Sequence, residues 1–280
     1  MRLQVWSRER NFGDQLNLWM WPRLVPALFD AGDEIALFGI GTVLNERRNP
    51  PGRKIVLGSG VGYGAAPTIH GRDWTIYAVR GPLSARALGL DPGDGIVDAA
   101  ALLRLLDWPV AASRHDVSFI PHVDSAIAGG LAEACSTVGI HYIDPRQPPA
   151  HTIADIRASR LVICEAMHGA IVSDVMRVPW IPVGTAQSSH AGKWRDWGDS
   201  VGLEIAPNPL YDDRYKRFVA SIKRLNNLSY NLHRPADIPT KLCYAIRQQF
   251  AGSGVLPENE GGLTAILSWT FIIGAGYTIT

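Results

Sequence analysis

A histidine that directly follows an apolar, β-branched run and directly precedes a helix-like stretch is placed for proton transfer. The chain has one in Leu161-Val162-Ile163-Cys164-Glu165-Ala166-Met167-His168-Gly169. Imidazole titrates near neutrality, and the N–H groups of a helix start favour an anion such as phosphate. His168 is therefore the candidate general acid or base, with Glu165 beside it. His122 stands in a similar place after Phe119-Ile120-Pro121, although a satisfied loop histidine is an equal reading. In Val79-Arg80-Gly81-Pro82 a strand-like run ends on an arginine, whose planar fork suits a carboxylate or phosphate if it is not held in an ion pair.

Glycines supply a second kind of chemistry. Asn11-Phe12-Gly13-Asp14 reads as a tight turn on Gly13 with Asp14 capping the following helix. Gly39-Ile40-Gly41 and Gly58-Ser59-Gly60-Val61-Gly62 each follow an apolar run, so bare N–H groups around Gly41, Ser59 and Gly60 could face an anion. Neither has the full dinucleotide or P-loop spacing, and ligand-free turns account for them equally well. Ser188-Ser189-His190 and Lys193-Trp194-Arg195-Asp196-Trp197 mix hydroxyls, cations and indoles. Ser189, Lys193 and Arg195 could hold an anion there, and Trp197 could stack on a sugar face.

Something must position these residues, and the pattern predicts an α/β fold. Strand-like runs fall at residues 3–6, 35–39, 55–57, 74–79 and 95–97, and again at 117–120, 140–143, 161–164 and 180–183. Between the later ones, 124–138, 152–158 and 169–176 read as helices, while Pro22 and Pro26 split residues 14–30 into two short helical pieces. Alternation of this kind implies parallel sheets covered on both faces, with ligands outside the carboxyl ends of the strands. The expected organisation is a Rossmann-like lobe over 1–110, a second over 111–205 carrying His168, a central cleft, a helical extension over 206–260 and an uncharged apolar tail over 261–280.

Composition narrows the partners. Lys plus Arg (27) nearly balances Asp plus Glu (26), so no long-range positive field exists for nucleic acid, and none is expected as a partner. Three scattered cysteines, and a start without the pattern of a signal peptide, point to the reducing cytoplasm. The basic face of 212–225 reads first as a solvated surface helix; contact with anionic headgroups is the other reading, and with the apolar tail it would give peripheral contact with the inner membrane face. No Asp-x-Asp or His-rich spacing demands a metal.

Taken in order, Asn11-Phe12-Gly13-Asp14, Gly39-Ile40-Gly41, Gly58-Ser59-Gly60, Val79-Arg80-Gly81-Pro82, Ile120-Pro121-His122, Met167-His168-Gly169 and the 193–197 stretch resemble the polysaccharide pyruvyl transferase family over roughly residues 1–200. Asn11-Phe12-Gly13-Asp14-Gln15-Leu16-Asn17 followed by Trp21-Pro22-Arg23 looks most like its succinoglycan-type, ketal-forming branch. The resemblance implies a fold like the two-domain (GT-B-like) glycosyltransferases. It also implies phosphoenolpyruvate as donor and co-substrate, with no further cofactor, and a lipid-linked oligosaccharide or polysaccharide as acceptor. His168 would be the catalytic histidine and Arg80 a donor-binding cation. Where the family pattern has an arginine two residues before the histidine, this chain has Ala166, so Arg80, Lys193 or Arg195 would supply that charge. A nucleotide-sugar glycosyltransferase of the same architecture and a non-catalytic glycan- or phosphate-binding protein are the alternatives.

Overall fold

The computed structural model describes residues 1–6, 10–26, 29, 35–69, 71–184 and 191–209. The described residues fall into two compact units: Met1–Val5 with Asn17–Asp107, and Trp6–Leu16 with residues 108–209. The expected helix at 212–225, the tail at 261–280 and Ser189 lie outside the described residues, as does the extension beyond residue 209.

In the first unit β1 (Arg2–Leu3), β2 (Ile35–Phe38), β3 (Arg53–Leu57) and β4 (Trp74–Ala78) form one parallel sheet in sequence order. Both faces are covered, as expected for parallel strands: Ala36, Phe38, Val56 and Val79 pack with Val43, Leu44, Ala85 and Leu88 in one buried cluster. The strand expected at 95–97 is absent. That segment runs instead between 3₁₀ turns at Pro92–Asp94 and Ala99–Leu105. Asp91 and Asp98 each accept a hydrogen bond from the N–H two residues on, which favours turns over a ladder. The two short helices expected over 14–30 are also corrected, because α1 (Phe12–Leu24) is continuous through Pro22. Pro22 and Leu18, the residue whose carbonyl loses its helical partner, both lie on the exposed face, where water can take the freed oxygen. The helix α2 (Pro82–Ala87) opens on Pro82 as predicted.

In the second unit β5 (Ser118–Ile120), β6 (His141–Tyr142), β7 (Val162–Cys164), β8 (Trp180–Gly184) and β9 (Asn208–Pro209) are all parallel, in the order β6-β5-β7-β8-β9. This is the doubly wound 2-1-3-4-5 arrangement. The connecting helices are α3 (Val123–Ala128), α4 (Leu131–Thr137), α5 (Pro149–Arg157), α6 (Met167–Val175) and α7 (Ala191–Val201). The single helix expected over 124–138 is two, since Gly129 and Gly130 take φ of 84° and 78°, a conformation that other residues adopt only at a cost of about 1–2 kcal/mol. Phe119, Ile163, Ile181 and Val183 of the sheet pack against Ala134 and Cys135 of α4. Burying each large apolar side chain contributes about 1.5–3 kcal/mol. Among the described residues no helix is long and apolar enough to cross a membrane.

Candidate active site

Strand order in the second sheet reverses between β5 and β7, so the helices that follow these two strands lie on opposite faces, and the carboxyl ends at such a switch point are where open α/β sheets bind ligands. His122 follows β5 and Glu165 to His168 follow β7, which puts both predicted histidine motifs at that edge. The two strand ends are tied together. Ile120 offers its carbonyl to the N–H groups of Glu165 (2.9 Å) and Ala166 (3.3 Å). Ala166 caps α6, making His168 the second residue of the helix, among N–H groups with no intrahelical acceptor.

Gly13 lies against the His168 ring. A Cβ added to Gly13 would sit 2.2 Å from Nδ1 of His168, so only glycine allows this approach. Asn11, rather than Asp14, caps α1: its Oδ1 accepts from the Gly13 N–H (3.2 Å) and its carbonyl from the Gln15 N–H (2.8 Å). Asp14 falls inside the first turn, where its buried Oδ1 accepts from the Trp6 N–H at 3.0 Å. The expected turn on Gly13 is therefore the first turn of a helix, and its need for glycine comes from the imidazole it touches.

Glu165 is 3% exposed, with Oε2 accepting from the His122 N–H (2.9 Å) and Oε1 from the Ser125 hydroxyl (2.9 Å). The carboxylate thus joins the loop after β7 to the start of α3. Nothing in the sequence marks Ser125, an ordinary serine in a helix-like stretch. His122 caps α3, its Nδ1 accepting from the Asp124 N–H at 3.3 Å. Burial, and then the nearby Lys193 ammonium, push the His122 imidazole below its ordinary range, against the opposing pull of Asp124 and Glu165. The neutral ring is the form able to accept the Asp124 N–H.

Of the three cations that could replace the arginine expected at Ala166, Lys193 is the one whose charge is felt at His122. Arg195 points to the exposed side of α7, 3.8 Å from Asp199 one turn on. Trp197, expected to stack on a sugar, is 1% exposed and packs against Trp180, ring centroids 5.4 Å apart. Its face is taken by another indole. Arg80 belongs to the first unit and is 1% exposed, with Nη1 donating to Thr42 Oγ1 (2.7 Å) and Nη2 to the Val61 carbonyl (3.2 Å). Gly60 packs on its guanidinium, since a Cβ there would lie 2.2 Å from Cζ.

Of the N–H groups expected to face an anion at Gly41, Ser59 and Gly60, that of Gly60 is taken by the backbone, as are those of its neighbours. Gly58 donates to the Ala78 carbonyl, Gly60 to the Gly41 carbonyl, Val61 to the Ser84 hydroxyl, and Ile40 to Asn17 Oδ1. Asn17 returns its Nδ2 to the Ile40 carbonyl and takes the Trp21 indole N–H, so one buried amide fixes the loop after β2. Ser59 is fully buried, and Gly41 has φ of 102°. These loops close on each other through backbone bonds.

Residues 52–187, which include the loop after β3, Arg80, His122, Glu165 and His168, match the family model for polysaccharide pyruvyl transferase. The chain is also similar to succinoglycan biosynthesis protein ExoV of Rhizobium meliloti (strain 1021), 42% identical over 211 residues that cover 74% of this chain and 67% of that protein. With a histidine at the switch point of a doubly wound sheet and a relative this similar over this length, the chain belongs to the polysaccharide pyruvyl transferase family and is a transferase.

Proposed function

We propose that the protein transfers pyruvate from phosphoenolpyruvate onto a sugar of an exopolysaccharide, closing a cyclic ketal, with a lipid-linked repeat unit as acceptor. The observation that carries this reading is the placement of His168, held by Gly13 at the start of α6 and at the switch-point edge of the sheet. The similar Rhizobium protein is named for succinoglycan biosynthesis, which supports an exopolysaccharide as the acceptor class.

The chemistry divides into an addition and a displacement. A proton goes to the methylene carbon of the enol phosphate, making it a methyl group and the central carbon electrophilic. One sugar hydroxyl forms a C–O bond there and gives up its proton. A second hydroxyl then forms the other C–O bond as the C–O bond to phosphate breaks, and its proton balances the released phosphate. His168 delivers the proton and recovers one from the attacking hydroxyl, while the α6 N–H groups and Lys193 stabilise the growing charge on the leaving phosphate. A neutral His122 adds a donor without adding charge.

The test is to incubate the protein with phosphoenolpyruvate and a lipid-linked oligosaccharide extract, measuring phosphate release together with acid-labile pyruvate on the glycan. Release of one phosphate per pyruvate bound is expected. Glycan modified with a nucleotide sugar, and not with phosphoenolpyruvate, would overturn the reading.

A further inference from the structure

We propose that His115, His141 and Asp155 form a binding site for one zinc-class divalent cation at the amino-terminal edge of the second unit's sheet. The three offer ligand atoms that all lie within 4.8 Å of one another. They come from three places in the chain: the segment before β5, the first residue of β6, and the second turn of α5. His115 precedes β5, and His141 pairs with Ser118 at the start of that strand, so the cluster stands at the opposite end of the strands from His122 and His168. It belongs to none of the chemistry described above.

The cluster is built rather than incidental. His115 is pinned on both sides of its peptide, donating its N–H to the Ala158 carbonyl and accepting from the Arg160 N–H; His141 donates its N–H to the Val117 carbonyl. The two imidazoles stack in parallel, centroids 3.7 Å apart and planes 2° apart. Gln147 donates to Oδ2 of Asp155 at 2.8 Å, leaving Oδ1 turned toward Nε2 of His141 at 3.7 Å. An outer residue that orients a ligating carboxylate is a regular part of metal sites. The 3.7 Å gap is longer than a hydrogen bond, and Nε2 of His141 is a buried nitrogen with no hydrogen-bond partner among the described residues. A cation between nitrogen and carboxylate satisfies both.

Zinc ligands stand about 2.0–2.2 Å from the metal, which sets them roughly 3.3 Å apart in a tetrahedron, so the cluster must draw in by about an ångström and the two imidazoles must turn out of their parallel stack to aim their in-plane nitrogens at one ion. All three side chains are half-buried and can make that adjustment. Two imidazoles with one carboxylate favour zinc and its transition-metal neighbours over magnesium or calcium, and three protein ligands leave a position for water.

The test uses the untagged full chain, stripped with a chelator and titrated with Co²⁺, whose visible absorption reports its ligands. Expected are saturation at about one ion per chain, displacement by Zn²⁺, and a weakening of more than about tenfold in both His141→Gln and Asp155→Asn. Asp155→Asn keeps the size of the side chain and an oxygen for Gln147, so it guards against a variant that fails to fold. Zn²⁺ should raise the melting temperature of the natural chain and not of Asp155→Asn, and Mg²⁺ should leave both unchanged. Absence of the cobalt spectrum, or undiminished affinity in both variants with binding lost instead in His151→Gln, would overturn the proposal.

Discussion

His168 and Glu165 stand three residues apart and differ in what their polar atoms are given to do. Glu165 is buried with each carboxylate oxygen accepting from a neighbour, His122 N–H on one side and Ser125 on the other, so it works as a strut. Glu165→Gln leaves one of those donors facing an amide NH₂ and should cost about 1–3 kcal/mol of stability, measurable by urea unfolding. His168 stands second in α6 and packs its ring against Gly13. His168→Gln should keep the fold and lower phosphate release from phosphoenolpyruvate by about 10²–10⁴-fold, because glutamine cannot titrate near neutrality. A glutamine variant with the natural rate would leave His168 a binding residue only.

The elements decide which of the predicted residues could meet. Most strands were legible as short apolar runs, and His122, Glu165 and His168 as the residues that follow such runs; β9 at Asn208–Pro209 has no apolar run to announce it, and the run at 95–97 lies between turns. What separates Lys193 from Arg195 is helical phase: two residues along α7 is a rotation of about 200°, so one faces inward and the other solvent. Phase was hidden while the 193–197 stretch was read as a composition. Gly129 and Gly130 were hidden inside an apolar pattern that continues across them, and only their positive φ ends α3. His115, His141 and Asp155 are dispersed over some forty residues, so no local spacing announced them.

His122 caps α3 through an unprotonated nitrogen, and its affinity for protons is lower in the fold than in the unfolded chain. The unfolded chain therefore binds the proton first, and stability falls as the pH drops below the ordinary histidine value of 6.5 toward the lower folded value. His122→Asn keeps a capping oxygen but has no proton to gain, so its melting temperature should fall less between pH 7 and pH 5.5. Arg80 likewise joins elements, bridging Thr42 after β2 and Val61 after β3. A single ammonium cannot reproduce that fork, and Arg80→Lys should lower the melting temperature before any effect on donor affinity is considered.

At the scale of the whole molecule, each unit carries a parallel sheet with buried central strands, and the second carries two buried thiols. Burial pushes Cys135 up to about 12 and holds Cys164 higher still, so neither forms a reactive thiolate in the folded protein. Modification of these two by a thiol reagent should track opening of the second unit, slowing when phosphoenolpyruvate is present if the donor binds at the His168 edge. Mass spectrometry of the labelled peptides, with and without donor, reads this directly; equal rates would place the donor elsewhere.

The packing of Gly13 on the His168 ring also has a meaning for heredity. Every amino-acid replacement reachable from a glycine codon by one base change brings a Cβ, and at this position the first added carbon already lies 2.2 Å from an imidazole nitrogen. No neighbouring codon offers a gentle step. In a library of all single-nucleotide variants selected for polysaccharide pyruvylation, codon 13 should therefore return only glycine and silent changes, as intolerant as codon 168 itself.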